Sequence, residues 1–290
     1  MVSACAAPEP ALRDAASLPC TDASVLPIHH GAPSPTRLPL TAGQALAVAR
    51  VDLGVPCSGV LIAPRWALTA AHCASNLTNG WLFFGEDPEL AAIGVGVESV
   101  HTHEVLDVAL VELASDVRSA VPGVVPIAIV PFELAPLVGQ LAEAAGYGAR
   151  EDGEMGARRF FSAPVDDVLG EHIVIDGMGI AGTCFGDSGG PLFVLGAAGA
   201  RVAGVLSLGD PSCVGRSRFA RLDIVRAWVE SFVGPTPVDD PACGEITTEG
   251  SCIGATAVRC RDGALRFETC ASDRECAMHE GSAVCLLACH

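Results

Sequence analysis

Cysteine placement constrains this chain more than any other feature. There are 13 cysteines in 290 residues, and seven of them (Cys243, Cys252, Cys260, Cys270, Cys276, Cys285 and Cys289) crowd into the last 48. A cytosolic chain rarely carries so many thiols unless they bind metal. The tail contains no Cys-x-x-Cys pair, which disfavours a zinc ribbon. Residues 243–290 are therefore expected to form a disulfide-held module too small to fold on its core alone, within a secreted protein.

Half of the residues are apolar and 18% are charged, which excludes a disordered chain. Acids outnumber bases 34 to 17, every base is Arg, and the net charge is -17. With no concentrated basic surface to meet phosphates, nucleic acid is excluded as a partner. The best apolar run, Val124 to Val138, is interrupted by proline, so no membrane-spanning helix is expected.

Four regions follow along the chain. Residues 1–27 are rich in Ala and Pro and read as a leader or pro-segment. Within them Val2-Ser3-Ala4-Cys5 resembles a bacterial lipobox, which makes Cys5 a candidate lipidation site and a lipid-anchored cell-surface protein the variant of a secreted one. A lipobox normally follows a basic and an apolar stretch, and only Met1 precedes this one. Residues 28–234 carry short apolar runs, such as Ala45–Val51, Gly59–Ile62 and Val202–Leu208, separated by Gly and Pro; this pattern predicts an all-β domain, sandwich or barrel. Val225, Trp228, Val229 and Phe232 fall at i, i+3, i+4 and i+7 and predict one helix at its end. Gly234-Pro235-Thr236-Pro237 stops that helix, and residues 235–242 read as a linker.

Three segments carry chemistry: Thr69-Ala70-Ala71-His72-Cys73, Leu106-Asp107-Val108-Ala109-Leu110, and Gly186-Asp187-Ser188-Gly189-Gly190-Pro191. A serine hydroxyl is a poor nucleophile until a base takes its proton, and imidazole suits that task near neutral pH. A carboxylate must then fix the imidazole tautomer and stabilise the imidazolium. Glycines beside the serine let backbone N–H groups face a developing oxyanion, worth about 3 to 4 kcal/mol per donor. The order His, Asp, Ser is not that of α/β-hydrolases, in which the serine of Gly-x-Ser-x-Gly comes first.

Together these segments resemble the trypsin-like, chymotrypsin-fold serine peptidases of bacterial type. The resemblance implies two six-stranded antiparallel barrels with a C-terminal helix, acting on protein and peptide substrates without a cofactor. It implies His72 as general base, Asp107 as its orienting carboxylate, Ser188 as nucleophile, and the Gly186 and Ser188 N–H groups as the oxyanion hole. Disulfides Cys57–Cys73 and Cys184–Cys213 are implied as well. Ser207, Leu208 and Gly209 look like the strip that pairs with substrate backbone. For activation, it implies a new terminus at Ile28 whose amine meets Asp187, although Pro27 is a poor cleavage site. Gly182 matches the floor of the primary pocket, with Gly209 on one wall and Ser217 at the back. A floor without a carboxylate favours apolar substrate side chains. Arg216 and Arg218 flank Ser217, and a shift of one residue would aim a guanidinium inward and select acidic ones instead.

His101-Thr102-His103-Glu104 could grip zinc from one strand face, but no further ligand set accompanies it, and these residues read as surface. Setting aside Cys5 and the two implied pairs leaves Cys20 and the seven tail cysteines, so Cys20 is expected to pair with the tail. The tail looks like Cys-rich appendages on secreted proteins of predatory soil bacteria, with a cell-surface or glycan ligand or a plain stabilising role. The competing reading from another class is a zymogen-locked scaffold whose tail does the binding.

Overall fold

The computed structural model describes residues 30–74, 80–85, 93–196, 199–235, 251–253, 256–261, 264–270, 274–279 and 282–287. Cys5, Cys20 and Ile28, like the linker from residue 236 on, lie outside them.

Twelve strands close into two barrels. The first contains β1 (Val48–Asp52), β2 (Pro56–Ala63), β3 (Trp66–Thr69), β4 (Trp81–Phe84), β5 (Ile93–Thr102) and β6 (Ala109–Leu113), in the order β1-β2-β3-β6-β5-β4. The second contains β7 (Leu141–Gly146), β8 (Arg159–Leu169), β9 (His172–Asp176), β10 (Pro191–Gly196), β11 (Gly199–Leu208) and β12 (Arg216–Arg221), in the order β10-β11-β12-β9-β8-β7. Every pairing is antiparallel, so the expected pair of six-stranded barrels is the observed fold. Closure removes the open edges that short strands would otherwise expose. Apolar runs such as Gly59–Ile62 and Val202–Leu206 are buried throughout, because these strands are covered on both faces. β12 alternates instead: Ser217 and Phe219 turn inward while Arg216 and Arg218 face out.

Among the described residues three short α-helices complete the body: α1 (Ala42–Ala45), α2 (Val117–Ala120) and α3 (Arg226–Val233). The Thr41 hydroxyl and the Gln44 side chain cap α1 reciprocally. The predicted stripe matches α3: Val229 is buried, and Trp228 and Phe232 pack against the core. Phe232 stacks on His101 with ring centres 4.4 Å apart, and Trp228 meets His103 edge-on at 5.2 Å. The last helix is thereby fastened to the end of β5.

The tail forms a sheet of β13 (Ser251–Ile253), β14 (Thr256–Arg261) and β15 (Ala264–Thr269), and a hairpin of β16 (Arg274–His279) and β17 (Ser282–Leu287). A Cys270–Cys285 bond and a hydrogen bond from Arg259 Nε to the Ala283 carbonyl (2.9 Å) tie sheet to hairpin. Among the described residues no helix is long and apolar enough to cross a membrane.

One buried carboxylate holds the N-terminal segment on the second barrel. Glu143, in β7, is fully enclosed and accepts from the Thr36 amide (2.5 Å), the Thr36 hydroxyl (3.0 Å) and the Leu38 amide (2.9 Å). Burial pushes its pKa up, and these donors oppose the shift. Replacing Glu143 by Ala orphans those amides and should cost on the order of 3 kcal/mol in urea unfolding. A loss below about 1 kcal/mol would mean that packing alone holds the segment.

Candidate active site

The site sits where the two barrels meet. His72 lies on a short 3-10 turn, Ala71–Ala74, directly after β3, and Asp107 lies between β5 and β6. The Asp107 carboxylate receives the His72 amide on Oδ1 (3.0 Å) and the His72 ring nitrogen Nδ1 on Oδ2 (2.8 Å). Both backbone and side chain of His72 are thus set by one acid. A third donor comes from the other barrel: Ser207 Oγ reaches Asp107 Oδ2 at 2.7 Å. The register of β11 against β12 shifts between Leu206 and Leu208, and this irregularity accompanies the turn of Ser207 toward Asp107.

These contacts set the charges. Burial raises the Asp107 pKa, but the hydrogen bonds from the His72 ring, Ser207 and the His72 amide outweigh it, and the net shift is downward. The hydrogen bond to Asp107 raises the His72 pKa above its ordinary value, against partial desolvation. The pair can therefore hold a proton on the imidazole while the acid stays ionised.

Ser188 occupies the loop ahead of β10. Its carbonyl accepts the Ser58 amide (2.8 Å), and the next amide, Gly189 N–H, donates to the Leu206 carbonyl (2.7 Å). Gly189 has φ +78°, and a Cβ there would stand 2.5 Å from the Ser58 carbonyl oxygen, so only glycine lets the loop approach β2 this closely. The Gly186 and Ser188 amides donate to nothing among the described residues. Cys57 is bonded to Cys73 behind His72, and Cys184 to Cys213 beside the cleft.

His72, Asp107, Ser188, Thr183, Phe185 and Leu208 line one cleft of about 460 Å³, with Gly209 on its wall. Gly182 and Ser217 are buried behind it rather than lining it. Thr183, itself buried, lines the cleft in their place, its hydroxyl 2.8 Å from that of Ser217. Arg216 binds Asp166 and lies 3.7 Å from Asp176, and Arg218 is exposed, so neither guanidinium enters the cleft. Asp210 also borders the cleft, but its carboxylate is turned to the Ser212 amide (3.0 Å).

Two contributors escaped the sequence reading. One is Thr183. The other is Ser58, fully buried, whose hydroxyl donates to the Gly186 carbonyl and accepts the Tyr147 amide, each at 2.9 Å. A serine next to Cys57 in an apolar strand is the only trace of it. The His101-x-His103 pair has other duties than metal binding. His101 Nε2 is 3.1 Å from Ser99 Oγ, and His103 Nδ1 accepts backbone amides. Among the described residues the one cluster with ligand spacing is Cys57, His72 and Cys73, two of which share a disulfide.

Residues 41–229 match the family model described as Trypsin. Serine protease 56 of Mus musculus is 31% identical over 232 residues, covering 67% of this chain; the chain spans 37% of that protein's length. Brachyurin of Leptuca pugilator is 28% identical over 62% of this chain and 89% of its own. The solved structure of HL collagenase superposes with a TM-score of 0.58 at 21% identity, over 69% of this chain and 99% of that one, a likeness of fold. The chain belongs to the trypsin family, and it is by that membership a serine endopeptidase.

Asp187, fully buried, provides a test on the uncut chain. Its carboxylate accepts only backbone amides among the described residues, Gly148 and Cys184, each at 2.8 Å. Burial pushes its pKa up to about 7, against those two bonds. The folded chain thus keeps a proton that the unfolded chain releases near pH ~4. The stability this confers is full below that pH and is lost as the pH rises toward 7. Asp187→Asn should therefore gain in Tm relative to the parent as pH rises through this window. A constant difference in Tm would contradict the assignment.

Proposed function

We propose that the chain is a secreted peptidase that cleaves peptide bonds through an acyl-enzyme on Ser188. The observation that carries this reading is the Asp107 carboxylate, shared by both His72 donors and by Ser207, in the cleft that holds Ser188. Asp107 keeps the ring proton on Nδ1, which leaves Nε2 to take the Ser188 proton as Oγ attacks the substrate carbonyl. The imidazolium so formed returns its proton to the leaving amine, and water repeats the sequence to release the acid. The Gly186 and Ser188 amides receive the oxyanion. Asp187 is the acceptor for an amine freed by cleavage before Ile28. Six disulfide-bonded cysteines in addition to Cys276 support an oxidising destination, and a bonded Cys270–Cys285 pair supports a separate module over residues 243–290.

The primary pocket is proposed to accept apolar side chains. Thr183 and Ser217 share one hydroxyl–hydroxyl hydrogen bond, no acid stands on the floor, and both nearby arginines point away. A substrate guanidinium would lose water without meeting a carboxylate on the floor, the bordering Asp210 being turned to the Ser212 amide. An apolar chain of Leu or Phe size gains roughly 1.5 to 3 kcal/mol by burial.

Three outcomes are expected. Ser188→Ala and His72→Ala each lower kcat by about a million-fold with little additivity, and Asp107→Asn by about ten-thousand-fold. Substantial turnover by pure His72→Ala protein would assign the base elsewhere. In a peptide panel varied only before the cut, Leu, Met or Phe should exceed Arg and Asp by at least about tenfold in kcat/KM; a preference for Arg would refute the pocket reading. Gly182→Asp should not create Arg cleavage, because a Cβ there would stand 2.8 Å from the Cys213 carbonyl oxygen and the floor cannot accept it without shifting. Efficient Arg cleavage by that variant would contradict the geometry.

A further inference from the structure

The loop that carries Asp107 is tied at its base by a residue with no role so far. We propose that His103 is a positioning residue for Asp107, a claim that rests on the reading of Asp107 as the partner of His72. The loop runs from the end of β5 to the start of β6, and its tip is poorly packed: Glu104 is exposed and Val105 is 70% exposed. What holds it is His103 at both ends. The His103 amide donates to the Val108 carbonyl (2.9 Å), across the loop, and Val108 N–H donates to the Leu106 carbonyl (2.7 Å). The side chain then turns back, and Nδ1 accepts the amides of Val105 (3.2 Å) and Leu106 (3.0 Å), the two residues before Asp107.

Nδ1 has a single in-plane lone pair, which these two N–H groups share, so the ring proton belongs on Nε2. The arrangement works only if the amides lie in the ring plane, and Trp228 of α3 sets that plane, edge-on at 90° with centres 5.2 Å apart. The C-terminal helix therefore braces the loop through His103. The loop in turn places a carboxylate that must meet three donors between 2.7 and 3.0 Å. Small displacements matter in such a constellation, where a misplacement of about 1 Å can cost about a hundredfold in rate. An Asn at residue 103 would set its Oδ1 near the place of Nδ1 and cap the same amides as an Asx turn. A Gln has similar bulk against Trp228 but carries its oxygen near the place of Nε2, where no amide waits.

The experiment compares kcat and KM of the full chain and its variants on one peptide. His103→Ala and His103→Gln should lower kcat by roughly 10- to 100-fold with KM within about twofold, and His103→Asn should recover most of the loss. In an Asp107→Asn background His103→Ala should add less than about a twofold further loss, since the residue acts through Asp107. Gln supplies the same reading should the Ala variant not fold. Parent-like kcat in the Gln variant, an Asn variant no better than Gln, or full additivity with Asp107→Asn would each overturn the proposal. Asp107→Asn alone with near-parental kcat would instead overturn the reading of Asp107, and His103 with it.

Discussion

Everything at this site depends on one carboxylate shared between two barrels. Asp107 takes two donors from His72, on the first barrel, and one from Ser207, on the second. A carboxylate with that many donors stays ionised despite its burial, and it fixes which imidazole nitrogen carries the proton. The Ser207 bond, which alone of the three crosses from one barrel to the other, also ties the second barrel to the first beside the cleft that Ser188 lines. Ser58 does a parallel job, joining β2 to Tyr147 and to the Gly186 carbonyl.

The scaffold around that joint is held by strands such as β2, β10 and β11, which are buried on both faces, and by loops closed with specific bonds. Cys57–Cys73 ties the His72 turn to β2, and Cys184–Cys213 ties the Ser188 loop to the segment before β12. The glycine at 189 removes a side chain that would force the Ser188 loop away from β2. Function and packing are therefore hard to separate here: the residues that place the cleft also join the barrels.

Much of this was legible in the sequence, for identifiable reasons. Thr69–Cys73 and Gly186–Pro191 carry motifs specific enough for the family resemblance, and with it the fold, to be stated before any coordinates. The helix at Arg226–Val233 announced itself by its stripe, and Gly and Pro punctuation marked the all-β body. Long-range contributions that no motif marks were not legible. Ser58 acts on a residue 128 positions away. Thr183 rather than Gly182 reaches the cleft surface, a matter of backbone direction in an irregular loop. Arg216 and Arg218 could be assigned to the outer face only once β12 was seen to place Ser217 inward against Ile175 of β9. His101 and His103, which suggested a metal grip, are explained by α3, an element over a hundred residues further along the chain.

The central claim is that the joint at Asp107 makes Ser188 a nucleophile. The most direct measurement is labelling of the intact chain, before and after limited proteolytic activation, with a fluorophosphonate carrying an apolar side chain, followed by mass mapping of the adduct. The account predicts a single adduct on Ser188 in the activated chain, absent from its His72→Ala variant. A folded, processed chain left unlabelled at Ser188, or labelled equally without His72, would contradict it.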